Sequence, residues 1–229
     1  MKKNILIIGS SSQIAREVIK LSNLKGDNIF ATSRSSIDIP VNKFFQLDPN
    51  EDLSVLDSLP ESIDALVYCP GSISLKSIQR MNISDIREDF RINFEGAFHI
   101  IKKVLPNLKK DDGASVVFVS SVAASTGMTF HSSIAASKSA LEGFARSLSA
   151  ELAPRVAVNC IAPSLTDTPM AEHLINNENK LKSSKERHPL NTIGDPKSIA
   201  KIIYNLFSAR ENWITGQTIN IDGGLSTLR

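Results

Sequence analysis

Short apolar runs alternate with segments of helical periodicity along the whole chain. The runs predict seven strands, at residues 4–8, 29–33, 44–47, 65–68, 115–119, 157–161 and 218–221. Because these runs are apolar throughout, they are typical of strands covered on both faces of a sheet. Helical periodicity follows Ser12 and covers residues 83–108, 133–152 and 196–207. The alternation predicts an α/β fold with a doubly wound parallel sheet of about seven strands.

The sequence contains neither an internal repeat nor a linker, which predicts one domain over residues 1–229. Within this domain, two segments depart from the alternation of strands and helices. Residues 34–43 are too few for a crossover helix, so a loop is expected between the second and third strands. Residues 171–188, called the lid segment below, are polar and lysine-rich. This composition favours a mobile lid over a packed element. A solvated surface segment without a function is the alternative.

Composition excludes several classes of protein. With 41% hydrophobic and 22% charged residues among 229, the chain is globular and is not disordered, collagen-like or a coiled coil. A net charge of +2 lacks the basic footprint of a nucleic-acid binder. The apolar runs are too short for a signal peptide or a membrane span, which predicts a cytoplasmic protein without a membrane partner. Cys69 and Cys160 lie in apolar runs and are expected to be buried thiols, and no metal site is expected.

The turn between the first strand and the first helix is a candidate binding site. Gly9 follows the strand and leads through three serines to Gln13 and Ile14. Free N–H groups at the positive end of a helix suit a phosphate, and the hydroxyls of Ser11 and Ser12 add donors. Taken alone, a glycine at such a turn is equally compatible with a purely geometric role.

The order and spacing of further motifs resemble the short-chain dehydrogenase/reductase family over nearly the full length. The family's opening Gly-x-x-x-Gly-x-Gly motif falls on Gly9, Gln13 and Ala15, and Gln13 is the main departure from it. Asp48 resembles the aspartate that hydrogen-bonds the adenine, and Gly71 is the retained residue of the Asn-Asn-Ala-Gly turn. The resemblance implies a Rossmann-like domain that binds a nicotinamide dinucleotide.

Two more segments bear on the cofactor. Pro163, Ser164 and Thr168 resemble the Pro-Gly-x-x-x-Thr segment that embraces the nicotinamide, with Ser164 in place of glycine. Ser33 and Arg34 end the second strand, where an acidic residue would bind the ribose 2′-hydroxyl of NAD. A guanidinium with flanking hydroxyls instead suits a phosphate, which predicts that NADP(H) is preferred over NAD(H). A surface arginine without a ligand is the alternative.

The family's catalytic residues are a serine, a tyrosine and a lysine spaced as Ser-x12-Tyr-x-x-x-Lys, with an upstream asparagine. Ser121 matches the serine that holds the substrate oxygen, and Lys138 matches the lysine that binds the nicotinamide ribose. Asn93 matches the asparagine that holds a water for this lysine. Ile134 stands where the tyrosine donates its proton. Because isoleucine has no donor or acceptor, the resemblance implies a site without its usual acid.

His131 is a candidate substitute for this acid. It precedes Lys138 by the tyrosine-to-lysine spacing of the related enoyl reductases, and a histidine titrates near neutral pH. A histidine in a loop is more often simply exposed, so both interpretations stay open.

These residues predict an NADP(H)-dependent oxidoreductase of the short-chain type, which acts on a small carbonyl or enone with an atypical proton donor. The alternative is a catalytically impaired dinucleotide-binding protein, a sensor or partner subunit, in which Ile134 records lost chemistry. The resemblance also implies a homodimer or homotetramer, because the two long helices carry apolar residues that either pack across a two-fold axis or face the sheet. These residues include Phe94, Phe98, Leu141 and Phe144.

Overall fold

Seven parallel strands form one sheet in the computed structural model, which describes residues 2–208 and 213–228. The strands are β1 (Asn4–Ile8), β2 (Asn28–Ser33), β3 (Lys43–Gln46), β4 (Ala65–Tyr68), β5 (Ala114–Val119), β6 (Val156–Pro163) and β7 (Thr218–Ile221). Their order is β3-β2-β1-β4-β5-β6-β7, so the direction of crossover reverses between β1 and β4. This confirms the predicted α/β fold, a Rossmann-like doubly wound sheet. Such a reversal opens a crevice at the carboxyl ends of the strands.

Helices cover both faces of this sheet. In the described part of the chain they are α1 (Gln13–Lys25), α2 (Ile83–Phe90), α3 (Gly96–Leu108), α4 (Ser132–Leu152), α5 (Glu172–Ile175), α6 (Glu178–Glu186) and α7 (Pro196–Ser208). On one face, Ile5 and Ile7 of β1 pack in a core with α1 and α7. On the other face, Leu6 and Ile8 of β1 pack in a core with α3 and α4. Successive strand residues therefore enter two apolar cores, which explains the continuous apolar runs.

Side chains and a glycine set the ends of the helices near the site. Ser12 Oγ accepts a hydrogen bond from the Ala15 N–H at 3.2 Å and caps α1. The Asp85 carboxylate accepts one from the Asn82 N–H at 2.9 Å, as part of a capping box that begins α2. Gly26 ends α1 in the left-handed conformation, with φ of +78°, which glycine adopts without strain. The first cap satisfies one backbone N–H at the amino end of α1, directly after the turn that follows β1.

Several sequence predictions change on this structure. Strand β6 is longer than predicted because Ala162 and Pro163 also pair with β7. The helix predicted over residues 83–108 contains a π-helical turn, Arg91–Glu95, between α2 and α3. The lid segment contains two short helices, α5 and α6, which its polar composition did not predict. Its polar composition does not prevent short helices that bury only a few side chains.

Other predictions concern loops, thiols and apolar surface. Residues 34–42 form the expected connection without a helix, and Cys69 and Cys160 are buried free thiols as expected. Leu141 is fully buried in the core, so it faces the sheet and not a partner. Phe98 is 43% exposed, and its ring contacts that of Phe144 edge to face. Over the residues described, the structure contains no helix both long and apolar enough to cross a membrane.

Candidate active site

A cavity of about 510 Å³ lies at the carboxyl ends of the strands. The sequence-predicted site residues that line it are Gly9, Ser11, Ser12, Ile14, Ser33, Arg34, Asp48, Gly71, Ser121, His131, Lys138, Pro163 and Thr168. Asn93 lies just behind this wall, because a Cβ on Gly71 would be 3.5 Å from Asn93 Oδ1 and 3.5 Å from Lys138 Nζ. Residues from distant parts of the sequence therefore converge on one site.

The turn after β1 requires glycine at its first position. Gly9 has φ of +76°, and a Cβ there would lie 2.9 Å from Pro70 Cδ. Ser12 N–H donates to Gly9 O at 3.0 Å, which closes the turn. The N–H groups of Gln13 and Ile14 have no partner within the helix, and both residues line the cavity. A phosphate placed there would meet these donors at the positive end of α1.

Gln13, the departure from the glycine motif, is directed along the helix. Its Nε2 donates to Glu17 Oε1 at 3.2 Å, one turn further along α1. Glu17 Oε1 also pairs with Lys20 Nζ at 2.7 Å. The larger side chain is thus held on the flank of α1 without disturbing the backbone turn.

Three arginines near the end of β2 differ in their partners. The Arg16 guanidinium pairs with the Asp38 carboxylate. Arg91 donates to the two carboxylate oxygens of Glu88 at 2.8 and 2.9 Å. Arg34 is exposed and lines the cavity, and its guanidinium forms no ion pair with any residue in the described ranges. It therefore remains available for an anionic ligand.

Polar atoms beside Arg34 also fit a ligand. Asp48 Oδ1 accepts from the Asn50 N–H at 2.9 Å, and Asp48 Oδ2 lies 3.7 Å from Arg91 Nη1, which fixes the carboxylate at the cavity wall. Thr32 Oγ1 and Asn50 Oδ1 are buried without a hydrogen-bond partner among the described residues, and both residues line the cavity. Buried polar atoms are ordinarily hydrogen-bonded, so these two oxygens fit a cavity that takes a polar ligand.

Lys138 and Ser121, the predicted lysine and serine of the site, also line the cavity. Lys138 is 4% exposed, and its Nζ donates to Val119 O at 2.7 Å. Burial away from water lowers the pKa of Lys138 to about 8. Ser121 Oγ accepts from the Ala123 N–H at 3.2 Å, which leaves the hydroxyl hydrogen free to donate to a ligand.

Asn93 is held by a buried polar network inside the π-helical turn. Its Nδ2 lies 2.9 Å from Asp89 O, 3.1 Å from Ser72 Oγ and 3.2 Å from Ser137 Oγ. Its Oδ1 accepts from the Ser72 N–H at 3.4 Å. Single π-helical turns are frequent at functional sites. Here the turn and the network together direct Asn93 Oδ1 toward Gly71, on the same side from which Lys138 Nζ approaches that glycine.

Ile134 and His131, the two residues at which a proton donor was sought in the sequence, both line the cavity. Ile134 is 4% exposed and lines the cavity with an apolar side chain. His131 lines the same cavity, and its Nδ1 lies 2.7 Å from Thr129 O. Because a carbonyl oxygen only accepts, this contact assigns the proton of the neutral ring to Nδ1. His131 therefore has an N–H to donate from Nε2 only as the imidazolium.

Sequence reasoning missed the apolar part of the cavity wall. Its members are Ile73, Leu75, Met128, Leu165, Met170 and Leu174. They come from separate loops and from the lid segment, so no periodic pattern marks them and only the fold brings them together. Arg187, near the end of the lid segment, also lines the cavity. The basic composition of that segment is the signal that indicated a cation there.

Known proteins resemble this chain over almost its whole length. A family model described as enoyl-(acyl carrier protein) reductase matches residues 54–226. The 3-oxoacyl-[acyl-carrier-protein] reductase FabG of Thermotoga maritima is 31% identical over an alignment of 241 positions that covers 97% of each chain. The ligand-free aldohexose dehydrogenase of Thermoplasma acidophilum has a TM-score of 0.90 at 25% identity and covers 100% of this chain and 96% of its own. ElxO with NADP bound has a TM-score of 0.87 at 26% identity, covering 98% and 99%. With this match over most of its residues, the chain belongs to the short-chain dehydrogenase/reductase family of oxidoreductases.

Proposed function

We propose that this chain is an NADP(H)-dependent reductase of a small carbonyl or enone, with a proton donor other than residue 134. One observation carries the proposal: the glycine turn, Arg34, Ser121 and Lys138 line a single cavity. A reductase of this kind needs a phosphate-binding turn and a donor for the substrate oxygen within one site.

The residues of the cofactor side fit a dinucleotide phosphate. The N–H groups of Gln13 and Ile14 would hold the pyrophosphate, and Arg34 would hold the 2′-phosphate by a charge-assisted hydrogen bond. Asp48 accepts hydrogen bonds and would take one from the adenine. Lys138 uses one N–H on Val119 O, which leaves two for the nicotinamide ribose. When bound, the reduced nicotinamide supplies the hydride.

Ser121 and Lys138 act where negative charge develops. Hydride addition to a carbonyl or an enone leaves charge on the substrate oxygen. The free hydroxyl hydrogen of Ser121 donates to that oxygen, and the Lys138 ammonium stabilises the charge through a medium of low dielectric. Since burial sets the pKa of Lys138 near 8, the side chain is mainly charged at neutral pH.

His131 is the proposed source of the proton. The contact of its Nδ1 with Thr129 O orients the ring and leaves Nε2 as the donating atom of the imidazolium. The ring can therefore deliver a proton to an alkoxide or to an enolate and is recharged from solvent, since His131 is partly exposed. A positioned acid contributes about a hundred- to ten-thousand-fold.

The names of similar proteins support the substrate class. The matching family model is described as an enoyl reductase, and the Thermotoga relative as a 3-oxoacyl reductase. Both descriptions concern reduction of a carbonyl or of a double bond conjugated to one. The apolar wall around Met128 and Leu174 suits the hydrocarbon part of such a substrate.

Ile134 favours a second candidate function. An apolar residue in the acid's position is also what a protein retains when it binds the dinucleotide without turning it over. In that case Ser121 and Lys138 serve only to hold the cofactor. Turnover separates the two, because the reductase consumes NADPH with some ketone, quinone or enone, whereas the binding protein consumes none.

The deciding experiment titrates NADPH and NADH by fluorescence against the wild-type chain and Arg34→Ala. We expect NADPH to bind about ten- to a hundredfold more tightly than NADH, because a charged hydrogen bond contributes about 1.5–3 kcal/mol. Arg34→Ala removes this preference. Arg155→Ala leaves it intact, because Arg155 precedes the amino end of β6 and does not line the cavity.

Equal affinities for the two dinucleotides, or a preference that survives Arg34→Ala, would refute the cofactor assignment.

Three further expectations accompany the function: a homodimer or homotetramer, a cytoplasmic location and a substrate lid at residues 171–188. Phe94, Phe98 and Phe144 form an aromatic cluster with ring centroids about 6 Å apart, and Phe98 is its most exposed member. This cluster is where we expect two copies to meet.

A further inference from the structure

His188, at the end of the lid segment, is buried although its neighbours in sequence are polar. Its side chain is 3% exposed. Nδ1 lies 2.7 Å from Ser184 O in α6, and Nε2 lies 2.9 Å from Ser164 Oγ. The imidazole therefore joins the lid helix to the segment that follows β6.

The two contacts define the roles of the ring nitrogens. Ser184 O only accepts, so Nδ1 carries the proton of the neutral ring and Nε2 accepts from the Ser164 hydroxyl. Both nitrogens are satisfied, as buried polar atoms require. Ser164 stands where the family motif has glycine, and glycine would offer no hydroxyl. The hydroxyl of Ser164 thus provides the hydrogen-bond partner that the buried Nε2 of His188 requires.

Ser164 lies in the cavity wall, within the segment 163–168. Its N–H donates to Ile221 O at 3.3 Å, and its carbonyl accepts from Thr166 Oγ1 at 2.9 Å. At the other end of the segment, Thr168 O accepts from the N–H of Ala171, the first residue of the lid segment, at 2.9 Å. Segment 163–168 is therefore tied to both ends of the lid segment, by backbone at Ala171 and by the side chain of His188.

A separate backbone pairing holds the same segment without His188. The Asp167 N–H donates to Gly194 O at 2.9 Å, and the Gly194 N–H donates to Leu165 O at 2.9 Å. Loss of the imidazole therefore leaves segment 163–168 attached to the chain beyond the lid. What it removes is the link between Ser164 and α6.

We propose that His188 is a positioning residue. Through its hydrogen bond with Ser164, it couples the binding of a ligand against segment 163–168 to the local stability of helix α6. The neighbouring Arg187, which lines the cavity, donates from Nη2 to Ser184 Oγ at 3.2 Å, and Ser184 is also the residue whose carbonyl contacts His188. This inference rests on the proposed function, because it takes NADP(H) as the ligand that contacts segment 163–168. It assigns to the Ser164–His188 pair a task that neither residue performs alone.

Hydrogen–deuterium exchange with and without NADPH tests the coupling. In the wild type we expect NADPH to slow exchange both at the glycine turn, residues 9–14, and in α6. The expected slowing in α6 is about three- to tenfold, the factor that corresponds to the free energy of one net hydrogen bond. In His188→Ala and in Ser164→Ala the glycine turn remains protected while α6 loses its protection. His188→Gln restores it, because the glutamine amide also reaches the Ser164 hydroxyl.

The double variant of His188→Ala with Ser164→Ala is expected to behave as either single variant does, because the two act through one contact. His173→Ala, at an exposed histidine of α5, is the matched control and keeps the protection. Protection of α6 that persists in both alanine variants overturns the coupling and leaves the proposed function standing. Absence of protection at the glycine turn of the wild type overturns the proposed cofactor and the coupling with it.

Discussion

The two sides of the cavity depart from the family pattern in different ways. On the cofactor side, Gln13 and Ser164 stand where the family resemblance leads us to expect glycine, and each side chain has a partner of its own. Gln13 contacts Glu17, and Ser164 contacts His188. On the chemical side, Ile134 stands where the family resemblance leads us to expect a tyrosine, and it offers neither a donor nor an acceptor to the cavity it lines.

This difference follows from what each side must supply. A dinucleotide is held by backbone N–H groups, dipoles and charges spread over many residues, so a substituted side chain matters little once it is turned away. Protonation depends on one acidic atom at one place, and no backbone group can replace it. Binding therefore tolerates substitution where proton transfer does not.

Restoring the phenol is the strongest way to test the contrast. We expect Ile134→Tyr to raise carbonyl reduction by about ten- to a thousandfold, because Ser121 and Lys138 still line the cavity and a positioned acid supplies a factor of this size. Steady-state oxidation of NADPH with a panel of ketones, quinones and enones measures the gain.

Ile134→Phe is the control, since it adds the ring without the hydroxyl, and we expect no gain from it. If Ile134→Tyr binds NADPH as the wild type does and gains no activity, the chemical side has lost more than its acid. If neither protein turns over any substrate, the dinucleotide-binding function becomes the better account.

Substitution of His131 tests whether this residue is the proton donor on the chemical side of the cavity. We expect His131→Gln to lower kcat/KM of the wild type by about a hundredfold near neutral pH, at the lower end of what general acids contribute. The affinity for NADPH should not change, because the proposed role concerns only the proton. His99→Gln, at an exposed histidine on α3, serves as the matched control.

A wild-type activity that survives His131→Gln contradicts this role and makes water or the substrate the source of the proton. In that case the cofactor side of the cavity would keep its binding groups, whereas the chemical side would have no proton donor from the chain.

Lys138 lies between the two sides, and its burial predicts a pH dependence of stability. Burial lowers the pKa of Lys138 to about 8 from 10.5, so the unfolded chain binds the proton more tightly than the folded one. Stability therefore rises with pH between these two values. Relative to Lys138→Met, the wild type should gain about 2 kcal/mol in free energy of unfolding from about pH 7 to about pH 9.5.

Urea denaturation of both proteins at the two pH values measures this difference, and titrating groups that do not interact with Lys138 cancel in the comparison. Parallel pH profiles for the wild type and Lys138→Met would mean that water reaches the ammonium. The lysine would then be an ordinary surface charge on the cavity wall.

Much of the fold follows from local patterns along the chain. The seven strands and the major helices were readable because a buried parallel strand is a short apolar run and an amphipathic helix has its own period. The two short helices of the lid segment were not predicted, since a polar sequence gives no apolar face by which to recognise α5 and α6. The π-helical turn at Asn93 was equally invisible, because it changes hydrogen-bond partners without changing the hydrophobic period.

The sequence by itself determined the order of the elements, the glycine turn, the arginine after β2 and the absence of a donor at Ile134, because each depends on residue type and spacing alone. Only the tertiary structure decided that Gln13 lies along α1, that Arg34 is unpaired while Arg16 is not, and that His188 meets Ser164. The physical reason is that such contacts join residues whose elements are brought together by packing, and packing leaves no trace in the spacing of either partner.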